Sequence, residues 1–142
     1  MQSAELEEKL LERAERYKVI QEKEQRSEGF MLVDAEIVLV AFGASSRIAR
    51  SAVVKAREEG IKVGLLRPIT LWPFPKDALE ATMGTAKAYL SVEMNLGQMV
   101  DDVRLVVGKD IPVEHFGRTG GMIPTHDEVV EAIRNLNAKV GE

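Results

Sequence analysis

IVLVAFGASSR, residues 37–47, predicts a strand that is followed at once by a helix. Its six leading apolar residues are typical of a strand buried on both faces, as in a parallel sheet covered by helices. Gly43 ends the strand, and Ser45 or Ser46 can cap the helix that starts there. Apolar residues then recur three and four positions apart, as on the inner face of a helix. The stretch therefore indicates an α/β protein.

The same strand–helix pattern recurs three more times along the chain. Apolar runs predict further strands at residues 63–67, 88–92 and 112–116. Helices are predicted from Pro75 to about Met83, from Met99 up to Gly108, and behind Thr125, which forms a capping box with Glu128. Such alternation predicts a mostly parallel sheet with helices on both faces, which is a three-layer α/β/α architecture.

A charged segment, residues 3–27, precedes this pattern and predicts one long helix with a narrow apolar stripe. The stripe consists of Leu6, Leu10, Ala14, Tyr17 and Ile20. The helix either lies along the surface of its own domain or packs on a partner, and the sequence leaves both interpretations open. We predict a charged helical lead-in over residues 1–29 and an α/β domain over residues 30–142.

FMLV, residues 30–33, predicts an additional short strand. Only a few residues separate it from the strand that begins at Ile37. A parallel crossover needs a dozen residues or more, so this strand is expected to run antiparallel at an edge of the sheet. The predicted sheet then has five strands.

The composition of the chain speaks against several kinds of functional site and binding partner. The chain has 142 residues, a formal net charge of −4, two histidines and no cysteine. It therefore offers no disulfide, thiolate ligand or cysteine nucleophile, and its histidines lie too far apart to predict a metal site. The acidic balance speaks against nucleic-acid binding, and no apolar stretch approaches the roughly 20 residues of a membrane span. With no signal peptide predicted at its charged start, we expect a cytoplasmic protein.

Candidate site residues lie in the loops that follow the strands, because ligands of open α/β sheets bind beyond the carboxyl ends of the strands. GASSR, residues 43–47, offers Ser45, Ser46 and Arg47 at a helix start, which suits either an anion or a plain helix cap. PITLWPFP, residues 68–75, holds Trp72 between prolines. A rigid aromatic loop of this kind favours a protein interface over a loop folded back on the core.

The loop EMNLGQ, residues 93–98, combines a carboxylate with two amides. Asn95 and Gln98 have nearly the spacing of a reciprocal helix cap, which accounts for both without chemistry. Capping leaves Glu93 unexplained, and we expect it to make a polar contact across an interface rather than to act as a general base.

The last loop, GRTGGMIP at residues 117–124, contains the candidates Arg118, Thr119, Gly120 and Gly121. The glycine pair permits unusual backbone angles or the close approach of another chain. None of the four loops contains a serine, cysteine or metal-based catalytic set, so no catalytic residue is predicted.

Four segments of the chain together resemble one family in the same order. They are GASSRIARSAV, GIKVGLLRPITLWPFP, VEMNLGQMVDDVRL and HFGRTGGMIPTHDEVVEAI. They are similar to the C-terminal domain of the α subunit of 2-oxoacid:ferredoxin oxidoreductases, in particular the branched-chain or 2-oxoisovalerate type. The similarity runs from about Ala35 to Leu136. It implies a transketolase C-terminal-like fold with a five-stranded sheet and one antiparallel strand.

The resemblance also implies a function. Enzymes of this family decarboxylate a 2-oxo acid on thiamine diphosphate with Mg²⁺, pass electrons through iron–sulfur clusters to ferredoxin, and transfer the acyl group to coenzyme A. Since these 142 residues show no thiamine fingerprint and no cysteine, we expect a non-catalytic domain that binds none of these groups alone. Its expected partners are the remaining domains of the α subunit, the β subunit and the ferredoxin-type subunits. A free-standing anion- or nucleotide-binding module and a structural dimerisation domain are the alternatives.

Overall fold

The structure is a computed structural model, and it describes residues 3–141. The elements follow one another along the chain as α1 (Ser3–Lys23), β1 (Ser27–Phe30), β2 (Ile37–Ala41), α2 (Gly43–Glu58), β3 (Val63–Pro68), α3 (Lys76–Glu80), β4 (Ala88–Glu93), α4 (Met99–Val107), β5 (Val113–Gly117) and α5 (His126–Val140). The five strands form one sheet in the order β1-β3-β2-β4-β5. Strand β1 pairs antiparallel with β3, and all other pairs are parallel.

Each face of the sheet carries its own apolar core. Alternate strand residues such as Leu39 and Leu90 join the inner faces of α2 and α5 in one core. Their neighbours Val38 and Tyr89 join α3 and α4 in the other. Strands β2 and β4 are buried on both faces because helices cover both sides of a parallel sheet. The predicted three-layer architecture is thus confirmed.

The antiparallel edge strand is confirmed, but its predicted position at residues 30–33 is wrong. Residues 27–30 pair with residues 65–68 of β3 instead. Met31 lies in the turn that follows, with a φ of 53°, and its carbonyl oxygen accepts a 2.8 Å hydrogen bond from the Arg57 guanidinium. The same guanidinium binds Asp34 at 2.7 Å. Only Phe30 of FMLV therefore belongs to the strand, and the other three residues lie in the turn that reverses the chain. The apolar periodicity of the sequence alone could not show this.

Two helices end earlier than predicted. Helix α1 stops at Lys23, because Arg26 bonds to the loop after β3: its backbone N–H donates to Thr70 Oγ1 at 3.0 Å, and its carbonyl accepts from Ile69 at 2.9 Å. Helix α3 stops at Glu80, and the chain continues in tight turns. The other strands and helices begin and end close to their predicted positions.

Contacts between the N-terminal segment and the rest of the domain involve the second half of α1 and the residues just after it. The Tyr17 ring packs edge-on against Trp72 with centroids 5.4 Å apart, and the Asp77 backbone N–H donates to Gln25 Oε1 at 3.1 Å. None of the residues of α1, all within the described part of the chain, is buried. Apart from Tyr17 and the partly covered Ile20, the apolar stripe is therefore left exposed by the described residues. No helix within residues 3–141 is both long enough and apolar enough to cross a bilayer.

Candidate functional site

The carboxyl edge of the sheet is where the four candidate loops meet. Strand β3 lies on one side of β2 and the next strand, β4, lies on the other side, so successive strands are added in opposite directions from β2. Ligands of open α/β sheets bind at such switch points. A cavity of about 200 Å³ lies there, lined by Phe42, Leu71, Glu93, Gln98, Met99 and Asp102. The loops after β2, β3 and β4 thus come together as the topology predicts.

Glu93, the last residue of β4, caps helix α4. Its Oε2 atom accepts hydrogen bonds from the backbone N–H groups of Gln98 at 3.2 Å and Met99 at 2.9 Å. Its Oε1 atom accepts a third from Val100 at 2.9 Å. The side chain is 0% exposed. The expectation that capping leaves Glu93 unexplained is therefore wrong, since this carboxylate satisfies three of the free N–H groups that open the helix.

The environment of Glu93 keeps its carboxylate charged. The Ser91 hydroxyl donates to Oε1 at 2.8 Å. Burial alone would raise the pKa of Glu93, but hydrogen bonds, led by that from the Met99 N–H and followed by that from the Ser91 hydroxyl, hold its pKa below the ordinary value. The positive end of the α4 dipole acts in the same direction. A charged carboxylate with its oxygens already engaged is poorly suited to proton transfer.

Two more titratable side chains border this carboxylate. His115 Nε2 on β5 lies 3.9 Å from Glu93 Oε1 and finds no hydrogen-bond partner among residues 3–141. Burial raises the pKa of Asp102, which lines the cavity, and the nearby charges of Asp101 and Glu93 raise it further. Because two carboxyl groups line the cavity, it disfavours phosphate or another anion.

Asn95 and Gln98 do not form the predicted reciprocal cap. Helix α4 begins at Met99 and its capping position is residue 98, three residues after Asn95. The Asn95 Oδ1 atom accepts instead from the Gly97 N–H at 2.7 Å. Gln98 occupies the capping position, but its side chain makes no capping hydrogen bond. The two amides therefore shape the loop, while the buried Glu93 caps the helix.

The serine cap predicted for α2 is also wrong. Helix α2 already begins at Gly43, so Ser45 and Ser46 lie within its first turn, and both are buried. The Ser46 hydroxyl donates to the Gly43 carbonyl at 2.7 Å. Arg47 is exposed. Serines turned inward in this way do not support the anion-binding alternative for GASSR.

The loop between β5 and α5 matches its prediction more closely. The capping box of Thr125 and Glu128 is confirmed, and Arg118 donates to the same glutamate at 2.6 Å. Gly120 and Gly121 have φ values of 65° and 83°, which are the unusual backbone angles expected of this pair. Thr119 beside them is exposed. This loop therefore has a defined shape.

The loops after β4 and β5 also touch each other. A Cβ atom on Gly117 would collide with the Asn95 carbonyl oxygen, so only glycine permits this close approach. The Arg118 N–H donates to the Glu93 carbonyl at 3.3 Å. Candidate residues from two loops are thus held in one surface.

An exposed set of apolar side chains, here named the apolar rim, projects from three loops of the carboxyl edge. Its members are Leu71, Trp72, Met94, Leu96, Met122 and Ile123. Leu96 is 85% exposed and Trp72 54%. Of these six, sequence reasoning selected only Trp72. Leu96 and Met122 each lie next to a glycine in a loop, where an apolar residue fits neither a strand nor a helix pattern, but the sequence did not show that they are exposed.

A family model described as "Pyruvate:ferredoxin oxidoreductase core domain II" matches residues 35–141. This chain belongs to that family. As a core domain II, it is 50% identical over 123 residues to ketoisovalerate oxidoreductase subunit VorB of Methanothermobacter thermautotrophicus, covering 86% of this chain and 34% of that protein. It is 40% identical over 101 residues to 2-oxoglutarate synthase subunit KorA of Methanocaldococcus jannaschii, covering 71% and 27%. The core domain II chain thus spans about a third of these relatives or less, and the predicted family resemblance is confirmed.

Solved structures support the fold of this core domain II. A 2-oxoglutarate:ferredoxin oxidoreductase from Magnetococcus marinus, with 2-oxoglutarate, coenzyme A and succinyl-CoA bound, superposes with a TM-score of 0.78 at 23% identity, covering 94% of this chain and 23% of that one. A split gene transketolase, described as an inactive beta4 tetramer, gives a TM-score of 0.66 at 21% identity, covering 78% and 40%. At such identities the similarity concerns the fold, and it confirms the transketolase-like architecture.

Proposed function

We propose that this chain is a non-catalytic domain of the α subunit of a cytoplasmic, thiamine diphosphate-dependent 2-oxoacid:ferredoxin oxidoreductase of the 2-oxoisovalerate type. In this proposal its carboxyl edge contacts the remaining domains of the α subunit, the β subunit or the ferredoxin-type subunits, and helps to shape the surroundings of the active site. The observation that carries the proposal is the apolar rim. The 50% identity to a ketoisovalerate oxidoreductase subunit supports the substrate type.

The apolar rim has the composition of a protein interface. Tryptophan and methionine are enriched at interface cores, and exposed apolar side chains grouped on neighbouring loops are typical of interaction sites. The rim sits on loops that are held in place from below by the buried Glu93 and by the close approach at Gly117. A preformed surface loses less conformational entropy on binding than a flexible one. The carboxyl edge is thus well suited to subunit contact.

The same edge does not fit the cofactors of the parent enzyme. The Glu93 carboxylate is occupied by in-chain donors and so does not offer free oxygens to Mg²⁺. Within residues 3–141, no three histidine, aspartate or glutamate side chains come together in an arrangement that could hold a metal ion. The buried serines of GASSR do not suit a diphosphate. We therefore assign thiamine diphosphate, Mg²⁺, the iron–sulfur clusters and the coenzyme A site to other parts of the complex.

Turnover by the isolated chain and by the whole complex tests this assignment. With 2-oxoisovalerate, coenzyme A, thiamine diphosphate and Mg²⁺ supplied, we expect no reduction of ferredoxin by the chain alone. The same domain within the assembled complex is expected to support turnover. Catalysis by the purified chain alone would refute the non-catalytic role.

Rim variants test the assembly role. Because burying a leucine side chain contributes about 1.5–3 kcal/mol, Leu96→Asp should weaken subunit association roughly 10-fold or more. Leu105→Asp is the matched control, since Leu105 is 83% exposed but lies further along α4, away from the carboxyl edge. Association is measured by co-purification and sedimentation, and turnover per assembled complex should remain unchanged. Normal assembly of Leu96→Asp with lost turnover would place the rim in the chemistry instead.

A further inference from the structure

Helix α1 carries an apolar stripe that the rest of the chain leaves open. Leu6, Leu10, Ala14 and Tyr17 share one face at helical spacing, and Gln21 continues that face beyond them. Ile20, the last residue of the stripe, is partly covered. Leu10 is 50% exposed. A charged helix of 21 residues, about 31 Å long, gains most of its stability in proteins from packing of its apolar face. Apart from the contact of Tyr17 with Trp72, the stripe is therefore not covered by the described residues 24–141, and it meets the apolar rim only at Trp72.

The two halves of this stripe differ in shape. Leu6 and Leu10 project from the first half. In the second half, Ala14, Tyr17, Gln21 and Trp72 line a groove of about 500 Å³. A small residue beside a groove can accept a large side chain, as in the knobs-into-holes packing of paired helices. One half thus offers the side chains that the other half can receive.

The two halves also differ in charge. The segment from Ser3 to Glu12 carries four glutamates and one lysine. The segment from Arg13 to Lys23 carries four basic residues and two glutamates. Two parallel copies of α1 would place like charges side by side, whereas two antiparallel copies place the acidic half of each against the basic half of the other. The helix is thus complementary to itself in the antiparallel orientation only.

We propose that a second copy of this chain packs along α1 in antiparallel orientation. A two-fold axis near Glu12 brings Leu10 of each copy against Ala14 of the other, so that each leucine enters the groove beside Tyr17. Such an isologous contact repeats every interaction twice and closes after two copies. The contact goes beyond the proposed function and does not depend on it, because it uses α1 and shares only Trp72 with the apolar rim.

Sedimentation of the intact chain tests the proposal first. The 15.7 kDa chain should sediment as a dimer at about 100 µM and dissociate on dilution, as expected for a small interface. Leu10→Asp should raise the dissociation constant at least about tenfold. Leu11→Asp is the control: Leu11 is its exposed neighbour on the same helix but on another face, so the dissociation constant should hardly change.

Cross-linking tests the orientation, and the cysteine-free sequence gives a clean background. Under mild oxidation, a mixture of Leu10→Cys and Ala14→Cys chains should form the cross-linked dimer in much higher yield than either variant alone. Cross-linking of each variant only with itself would show parallel pairing and overturn the proposal.

Three further results would also overturn it. One is a monomer throughout the concentration range, and another is equal weakening by Leu10→Asp and Leu11→Asp. The third is a monomeric chain whose Leu10→Asp variant fails to join the other subunits of the oxidoreductase, which would assign the stripe to a different protein chain. None of these results bears on the role of the apolar rim, so the two proposals fail separately.

Discussion

A glutamate side chain takes part in the N-terminal cap of both α4 and α5, but the two glutamates come from different parts of the chain. Glu128 belongs to α5 itself, and it exchanges hydrogen bonds with Thr125 three residues earlier, near the surface. Glu93 belongs to the preceding strand, is fully buried, and binds N–H groups five to seven residues later. The same need, free N–H groups at a helix start, is thus met locally at one site and by the sheet at the other.

The difference follows from where each helix starts. Helix α4 begins at the switch point, where neighbouring loops close over its first turn and Met99 and Val100 are buried. Water cannot satisfy buried N–H groups, so a protein acceptor must do so. Helix α5 starts at the periphery, where Thr125 is exposed and water remains available. We infer that the cap of α4 is part of the core, whereas the cap of α5 is a surface feature.

Replacing Glu93 should have the largest effect. Glu93→Ala leaves three backbone N–H groups and the Ser91 hydroxyl without their acceptor in a buried place. Hydrogen bonds to charged groups contribute about 1.5–3 kcal/mol each, and their losses overlap, so we expect the free energy of unfolding to fall by about 3–5 kcal/mol. Urea denaturation of the chain measures this change. A loss below 1 kcal/mol would mean that solvent reaches the first turn of α4.

Replacing Thr125 should cost less. Thr125→Ala removes the side chain that accepts the Glu128 N–H at 3.2 Å, and the loss of such a cap typically lowers stability by about 1 kcal/mol. Thr119→Ala, at an exposed residue of the same loop, serves as the control and should change stability by less than about 0.5 kcal/mol. If Thr125→Ala matched Glu93→Ala, the distinction between a surface cap and a core cap would not hold.

Much of the fold could be predicted because its signals are local. The strand Ile37–Ala41 is a continuous apolar run, and the capping box of α5 lies within four residues. The edge strand was predicted three residues too late, because the turn at Met31 depends on a hydrogen bond to Arg57, which lies 26 residues away. A partner at that distance along the chain leaves no periodic trace in the sequence.

The candidate site shows the same limit. The candidate loops were predicted from the ends of the predicted strands alone, and they do meet at the carboxyl edge. Which residue caps α4 was predicted wrongly, because Asn95 matches the local preference for a cap whereas Glu93 matches none. Only the three-dimensional path of the loop shows that the end of β4 points at the first turn of α4. The apolar rim escaped prediction for a related reason, since exposure depends on the packing of several loops at once.

The smallest of the expected effects is the difference between the two caps in how the free energy of unfolding depends on acid pH. The pKa of Glu93 in the folded chain lies below its ordinary value of 4.5. The stability that this charge contributes is therefore fully present above pH 4.5, and it is lost as the pH falls through the lowered value of the folded state. Burial, which raises the pKa, opposes the hydrogen bonds that lower it, so the net dependence is modest.

Urea denaturation between pH 7 and pH 3 measures this dependence. Wild-type stability should fall more steeply below pH 4.5 than that of Glu93→Gln, which carries no titratable group at this position. Glu128→Gln is the matched control, because the pKa of Glu128 is also lowered, by the Thr125 N–H above all. The Glu128 side chain is one-third exposed, so solvent screens its charge. The acid dependence of the Glu128→Gln variant should therefore stay closer to that of the wild type than the acid dependence of Glu93→Gln does. If Glu128→Gln reduced the loss of stability below pH 4.5 more than Glu93→Gln did, the charge of the exposed cap would stabilise the chain more than the charge of the buried cap. That result would contradict the distinction between the two caps.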